Sequence, residues 1–149
     1  MMRGQSAPSE QAVAVSSAAA TVSSTVPVVL LGGSEDTRLL LRGLLRLHRH
    51  RVLLETATRE GIDHLPASTE PKILILDAGP DSSKGWAEEL SLVLQARPDL
   101  RALVILSSPD PALDSRARQA GAKAVLVRPF AIRDFIQAVE SIESPLPPP

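Results

Sequence analysis

Asp77 is the residue of this sequence that is best placed to do chemistry. It ends an unbroken apolar run that begins after Lys72, and the irregular segment 78–83 follows it directly. A short run of β-branched and aliphatic residues that is closed by turn residues predicts a strand buried on both faces. Such strands belong to parallel sheets, in which functional residues collect outside the carboxyl ends of the strands. The sequence therefore predicts a functional carboxylate at one edge of a parallel sheet.

The elements that must position this carboxylate alternate along the chain between Pro27 and Ile142. Apolar runs predict five strands, over 28–31, 51–55, 72–77, 102–106 and 124–127. A helical pattern follows each strand, and the connections are short. Five strands that are each followed by a helix predict one α/β domain with a parallel sheet and right-handed crossovers.

Local signals predict where two of the helices begin. Ser34 can cap the first helix through its side-chain oxygen. Glu35 and Asp36 lie in the first turn of that helix, where the positive end of the helix dipole stabilises carboxylates. Asp110 followed by Pro111 is typical of a helix start, and predicts the beginning of the fourth helix.

The first helix carries leucines and arginines in helical patterns. Its predicted buried face consists of Leu40, Leu41, Leu44 and Leu45. Its basic stripe consists of Arg38, Arg42, Arg46 and Arg49. A solvated face is the usual interpretation of such a stripe, and docking of an acidic partner is the alternative. Leu39 and Leu47 flank the stripe and are expected to be exposed.

The composition fits a single domain and argues against several classes of function. The chain has 149 residues, 44% of them apolar, a net charge of -1 and no cysteine. The charge argues against a surface that binds nucleic acid. No apolar run approaches the roughly 20 residues that span a bilayer. We therefore expect no nucleic acid and no membrane among the partners, and a reducing, cytoplasmic location.

The two ends of the chain differ from the middle. Residues 1–26 are rich in Ala, Ser, Thr and Val, and predict a disordered tail, with a signal peptide as the alternative. Residues 144–149 are rich in proline and predict a polyproline-like tail or the stub of a linker. The predicted folded domain spans residues 27–143.

Several short motifs within 27–143 occur in a specific order. Asp77 is followed by Gly85, Ser107 ends the fourth strand, and Gln119–Ala122 precedes Arg128, Pro129 and Phe130. Together these motifs resemble the receiver domain of bacterial response regulators, of the chemotaxis-regulator type. The resemblance implies a flavodoxin-like sheet of order 2-1-3-4-5, with Asp77 as the phosphoacceptor. It also implies that Ser107 and Arg128 contact the phosphoryl group.

The sequence departs from the receiver pattern at the metal site. Gly32 and Gly33 occupy the positions of the acidic pair that holds the family's divalent cation. Asp77 then remains, with Glu35 and Asp36 as weak candidate ligands. Hard cations need oxygen ligands, usually carboxylates. We therefore expect no cofactor, and Mg²⁺ only if Asp77 is phosphorylated.

A second departure concerns the switch of the family. Val125 stands where receivers often carry an aromatic side chain, so the coupling that reports phosphorylation is expected to be absent. The chain is then expected to be an atypical receiver that acts through protein–protein contacts, not an enzyme. Its partner would be a histidine kinase or another signalling protein, and a homodimer is compatible with this role. Two alternatives stay open: a working phosphorelay receiver, and a small flavodoxin-like protein that binds an anion or a nucleotide at Gly32–Ser34.

Overall fold

Five parallel strands form one sheet in a computed structural model of this protein, which describes residues 26–65, 71–79 and 85–143. The strands are β1 Pro27–Gly32, β2 Arg51–Thr56, β3 Ile73–Asp77, β4 Arg101–Leu106 and β5 Ala122–Val127. The helices are α1 Glu35–Leu47, α2 Arg59–Asp63, α3 Trp86–Ala96, α4 Pro111–Gln119 and α5 Ile132–Glu143. The predicted tails lie outside the described residues, apart from Val26, which is buried.

The strand order is β2-β1-β3-β4-β5, which is the 2-1-3-4-5 order that the motif resemblance implied. All four pairs are parallel, so every strand ends at the same edge of the sheet. Gly32 pairs with Asp77, and Asp77 pairs with Ile105. The register therefore brings the ends of β1, β3 and β4 side by side.

Helices cover both faces of the sheet. The side chains of β3 are all buried, as predicted for a strand between two helical layers. On one face, α1 and α5 pack over the sheet through Leu41, Leu45 and Phe135. On the other face, α2, α3 and α4 contribute a second apolar cluster. The sheet is thus packed against helices on both faces, and this packing positions the residues at its carboxyl edge.

The predicted helix caps are confirmed. The side chain of Ser34 accepts a hydrogen bond from the backbone N–H of Thr37, and Asp110 accepts from Ala112 and Leu113. No helix within the described ranges is long and apolar enough to cross a membrane.

Two residues of the predicted apolar faces are exposed. Leu40 is 62% exposed, although Leu41 and Leu45 beside it are buried. Successive helical residues are about 100° apart, so a face centred on Leu41 and Leu45 turns Leu40 outward. The helical spacing of Ile132, Phe135, Ile136, Val139 and Ile142 predicts a buried stripe on the last helix. Ile132 is nevertheless 53% exposed, because it begins α5, whose contact with the sheet is made by the later residues of the stripe. These two assignments to the core were wrong.

Candidate functional site at the carboxyl edge of the sheet

Asp77 lies at the centre of the carboxyl edge. It is the last residue of β3, and it is only 6% exposed. Its Oδ1 atom accepts a hydrogen bond of 2.9 Å from the backbone N–H of Gly79. A carboxylate this deeply buried needs further donors or a cation, because burial of an uncompensated charge is costly.

Arg128 supplies the charge that Asp77 needs. Its Nη1 donates to Oδ1 and its Nη2 donates to Oδ2, both at 3.0 Å. The backbone N–H of Arg128 donates to Leu106, which fixes the residue directly after β5. A planar guanidinium that meets both oxygens of a carboxylate forms one of the strongest side-chain hydrogen-bonded pairs. The sheet therefore brings together Asp77 and Arg128, as the resemblance of the motifs implied.

The loop after β1 closes against the same carboxylate. Gly32 and Gly33 have φ angles of +82° and +73°, a conformation that favours glycine. A Cβ atom on Gly33 would lie 2.5 Å from Oδ2 of Asp77, and one on Gly32 would lie 2.8 Å from the backbone oxygen of Asp77. The backbone of this glycine pair thus packs directly on Asp77, and a side chain at either glycine would overlap with Asp77.

Arg38 holds this loop from the other side. Its Nη1 donates to the backbone oxygen of Gly32 at 2.9 Å and to that of Gly33 at 2.8 Å. In the sequence Arg38 belongs to the basic stripe of the first helix, and this contact with the loop was not predicted. The signal was present, since Arg38 lies one helical turn after the cap residue Ser34. A long cationic side chain there can reach back to carbonyl groups that precede the helix.

The remaining candidates lie near this edge without joining the ion pair. Ser107 follows β4, is partly buried, and makes no hydrogen bond to Asp77 within the described residues. Glu35 and Asp36 are exposed in the first turn of α1. Among the described residues, no group of three or more histidine, aspartate or glutamate side chains lies close enough to hold a metal ion.

Val125 lies in β5, where it pairs with Val104. Its side chain is partly buried and packs against the apolar cluster that includes Leu106 and Ala117. A valine in this position has a stiff χ1 and little volume to move.

The arrangement is that of a buried carboxylate whose charge is compensated by a neighbouring arginine. Both oxygens of Asp77 accept hydrogen bonds from Arg128, and one accepts a further bond from Gly79. A glycine loop covers Asp77, and Arg38 fixes that loop. A reagent that approaches Asp77 therefore meets a carboxylate whose two oxygens are both hydrogen-bonded to Arg128.

Comparison with solved structures identifies the fold. No family model and no curated protein sequence matches the chain. A response regulator from Thermotoga maritima superposes with a TM-score of 0.69 at 18% identity, over 80% of this chain and 98% of that one. A LuxR-family two-component response regulator from Aurantimonas superposes with a TM-score of 0.69 at 24% identity, over 80% and 86%. A response regulator receiver protein from Pseudoalteromonas atlantica superposes with a TM-score of 0.66 at 22% identity, over 78% of this chain and 95% of that one. The chain therefore has the fold of response-regulator receiver domains, as its motifs predicted.

Proposed function

We propose that this protein is an atypical receiver module of two-component signalling, which acts through protein–protein contacts. In this proposal, phosphorylation of Asp77 is impaired or absent. The receiver fold and the order of the motifs around Asp77, Ser107 and Arg128 support the signalling role. The observation that carries the atypical character is the two-point contact between Arg128 and the Asp77 carboxylate.

The ion pair opposes phosphorylation because the nucleophile is already engaged. Attack on a phosphorus atom needs a free lone pair on one carboxylate oxygen, in line with the leaving group. Both oxygens of Asp77 accept from a guanidinium, whose fork geometry is rigid. Oδ2 keeps a lone pair, but the guanidinium lowers its nucleophilicity, and the Gly33 backbone packs against it.

The same surroundings are a poor fit for a divalent cation. Mg²⁺ requires near-octahedral oxygen ligands and is usually bound by carboxylates. At the family's acidic positions this chain offers Gly32 and Gly33, whose backbone packs on Asp77. The positive charge that a metal would bring is supplied by Arg128 at 3.0 Å, and a second cation would be repelled. We propose that Mg²⁺ does not bind the resting protein at this site.

The alternative of an anion or nucleotide site at Gly32–Ser34 is less well supported. The carbonyl groups of both glycines are bound by Arg38, and the hydroxyl of Ser34 bonds to Thr37. The first turn of α1, which follows this loop directly, carries Glu35 and Asp36, and these two carboxylates would repel an anion. The loop lacks the spacing of known phosphate-binding motifs.

A groove at the end of β4 and β5 is the surface that we propose for a signalling partner. It is lined by Leu106, Pro109 and Val127, with Arg118 and Asp114 of α4 along one side. Apolar lining with a few charged groups suits recognition of a protein segment. Val125 offers no bulky rotamer that could relay a change from the Asp77 edge, so binding there would not depend on a phosphodonor. The partner would be a histidine kinase or another cytoplasmic signalling protein.

Acetyl phosphate and Mg²⁺, applied to the full chain, test this proposal by intact-mass measurement. We expect no phosphoryl adduct beyond that of Asp77→Ala. Arg128→Lys is the informative variant, because a single ammonium replaces the two-point fork and leaves more of the carboxylate free. An adduct that forms in Arg128→Lys and needs Asp77 would identify the fork as the block. An Asp77-dependent adduct on the wild-type chain would overturn the proposal in favour of a working phosphorelay receiver.

A magnesium titration provides a separate test. Trp86 is the sole tryptophan of the chain, and it lies at the start of α3, where it is 5% exposed. Its fluorescence should not change in a saturable way with Mg²⁺, when ionic strength is matched with NaCl. A saturable change that is lost in Asp77→Ala would show that the pocket binds the metal.

A further inference from the structure

The outward side of α1 carries apolar side chains at the positions furthest from the sheet. Leu39, Leu40 and Leu47 are 53%, 62% and 77% exposed. Gly43 lies among them, and a Cβ atom there would meet nothing within 4 Å. The helix attaches to its own core through Leu41 and Leu45, so the outer leucines do not serve the fold of the domain.

Such a face is unusual for a solvated helix. A surface helix normally presents polar side chains to water, and contiguous exposed apolar surface marks a contact site. Three of the five exposed large apolar side chains among the described residues lie on this one helix. We call the surface formed by Leu39, Leu40, Gly43 and Leu47 the outer face of α1.

The apolar residues of the outer face lie nearly symmetrically about Gly43, so the outer faces of two copies can pair with each other. Leu39 and Leu47 each lie four residues from Gly43, on opposite sides. At about 1.5 Å rise per residue, each is about 6 Å from the glycine along the helix axis. In an antiparallel pair of helices that cross at Gly43, Leu39 of one copy lies level with Leu47 of the other. Glycine at the crossing point lets the two backbones approach closely.

The charges at the two ends of α1 also match in this arrangement. Its first turn carries Glu35 and Asp36, while Arg46 lies in its last turn and Arg49 lies two residues after its end. Within the described residues, none of these four side chains takes part in an ion pair. An antiparallel copy places the acidic end of one helix beside the basic end of the other, and it opposes the two helix dipoles. A parallel copy would place like charges together.

We propose that the outer face of α1 binds a second copy of this chain, in an antiparallel two-fold pair centred on Gly43. A two-fold contact uses the same patch on both subunits, which is the property that this helix has. The contact does not involve Asp77 or the groove at α4. The proposal therefore stands or falls independently of the function proposed above.

Sedimentation of the full chain over a wide concentration range gives the first test. We expect a reversible dimer, and Gly43→Glu should weaken self-association by at least about tenfold, because two like charges meet at the crossing point. Gly43 is exposed in a helix interior, so glutamate there should not impair folding. Leu92→Glu, on an exposed leucine of α3, is the matched control and should dimerise like the wild type.

Cross-linking tests the antiparallel geometry directly, since the chain contains no cysteine. Gly43→Cys should form a disulfide with its own copy under mild oxidation. A mixture of Leu39→Cys and Leu47→Cys should give mostly the mixed dimer. Leu92→Cys should form no intermolecular disulfide on the same time scale.

Three outcomes would overturn the proposal. A chain that stays monomeric at every concentration would show that this face does not bind a second copy. A dimer that survives Gly43→Glu would place the contact elsewhere. Preferential linkage of Leu39→Cys with itself and of Leu47→Cys with itself would show a parallel pair.

Discussion

Arg128 with Asp77 and Arg42 with Glu55 are two contacts between a guanidinium and a carboxylate, and they lie in different surroundings. In the first, the side chains are 31% and 5% exposed, and two N–O contacts are 3.0 Å long. In the second, the side chains are 40% and 23% exposed, and the one contact is 2.7 Å long. The shorter contact is therefore the more exposed one.

This difference shows why distance alone does not rank ion pairs. An exposed pair gains little, because water already solvates both charges and the side chains lose entropy. In a buried pair, each charge depends on its partner, and removal of one leaves the other uncompensated. The carboxylate of Asp77 is buried in this way, whereas that of Glu55 is partly exposed to water. The following substitutions measure how far the surroundings of the two carboxylates differ.

Gly33→Ala is expected to have the largest effect. The new Cβ would lie 2.5 Å from Oδ2 and 2.9 Å from Cβ of Asp77, at a φ of +73°. Steric overlap with a short, tethered side chain and backbone strain together should lower the free energy of unfolding by about 3 kcal/mol. Urea unfolding followed by Trp86 fluorescence measures this.

Gly79→Ala is the matched control for that substitution. Gly79 has a similar φ of +75°, but its Cβ would meet nothing within 4 Å. Strain alone should then cost about 1 kcal/mol. Equal losses in the free energy of unfolding for the two substitutions would show that steric overlap with Asp77 adds nothing at Gly33.

Arg128→Ala should have the next largest effect. Among the described residues, it leaves the Asp77 carboxylate, which is 6% exposed, with one hydrogen-bond donor, the backbone N–H of Gly79. We expect a loss of about 2 kcal/mol, below the range for a fully buried pair because Arg128 retains contact with water. The double variant Asp77→Ala with Arg128→Ala should be more stable than Arg128→Ala alone. If the double variant is the less stable of the two, Asp77 does not depend on its partner.

Much of the fold was predictable from the sequence because its signals are local. Apolar runs identified all five strands to within two residues, and Ser34 and Asp110 identified two helix starts through their side-chain hydrogen bonds. The meeting of Asp77 with Arg128 followed from the parallel order, since parallel strands end at one edge. These features depend on periodicity and topology, which a sequence carries directly.

Other features depend on contacts between distant residues, and the sequence did not indicate them. His50 lies between Arg49 and Arg51 in the sequence, yet it is 2% exposed, with Nε2 3.4 Å from Oε2 of Glu140 in α5. The packing of Gly33 on Asp77 depends on a loop conformation that a Gly-Gly pair permits but does not dictate. Leu40 was misassigned because a run of three leucines leaves the centre of the apolar face undetermined.

Arg38→Ala should have a smaller effect than Arg128→Ala, although both side chains act at the same edge. Arg38 bonds to the backbone oxygens of Gly32 and Gly33, which carry no charge that must be neutralised. We expect a loss of about 1 kcal/mol. Amide hydrogen exchange should also rise in the loop after β1, while the exchange of β3 stays unchanged. A loss as large as that of Arg128→Ala would mean that the loop, and not the ion pair, dominates the stability of this edge.

Arg42→Ala should have the smallest effect and completes the comparison. Glu55 remains 23% exposed at its side chain, so water can solvate it once the arginine is gone. The free energy of unfolding should fall by about 0.5 kcal/mol, and this loss should shrink further in high salt, because screening weakens exposed pairs. The Arg128→Ala loss should depend less on salt, since the buried carboxylate is shielded from ions. Unfolding curves of both variants at low and high NaCl measure the contrast, and equal salt dependence would contradict the assignment of the two pairs to different surroundings.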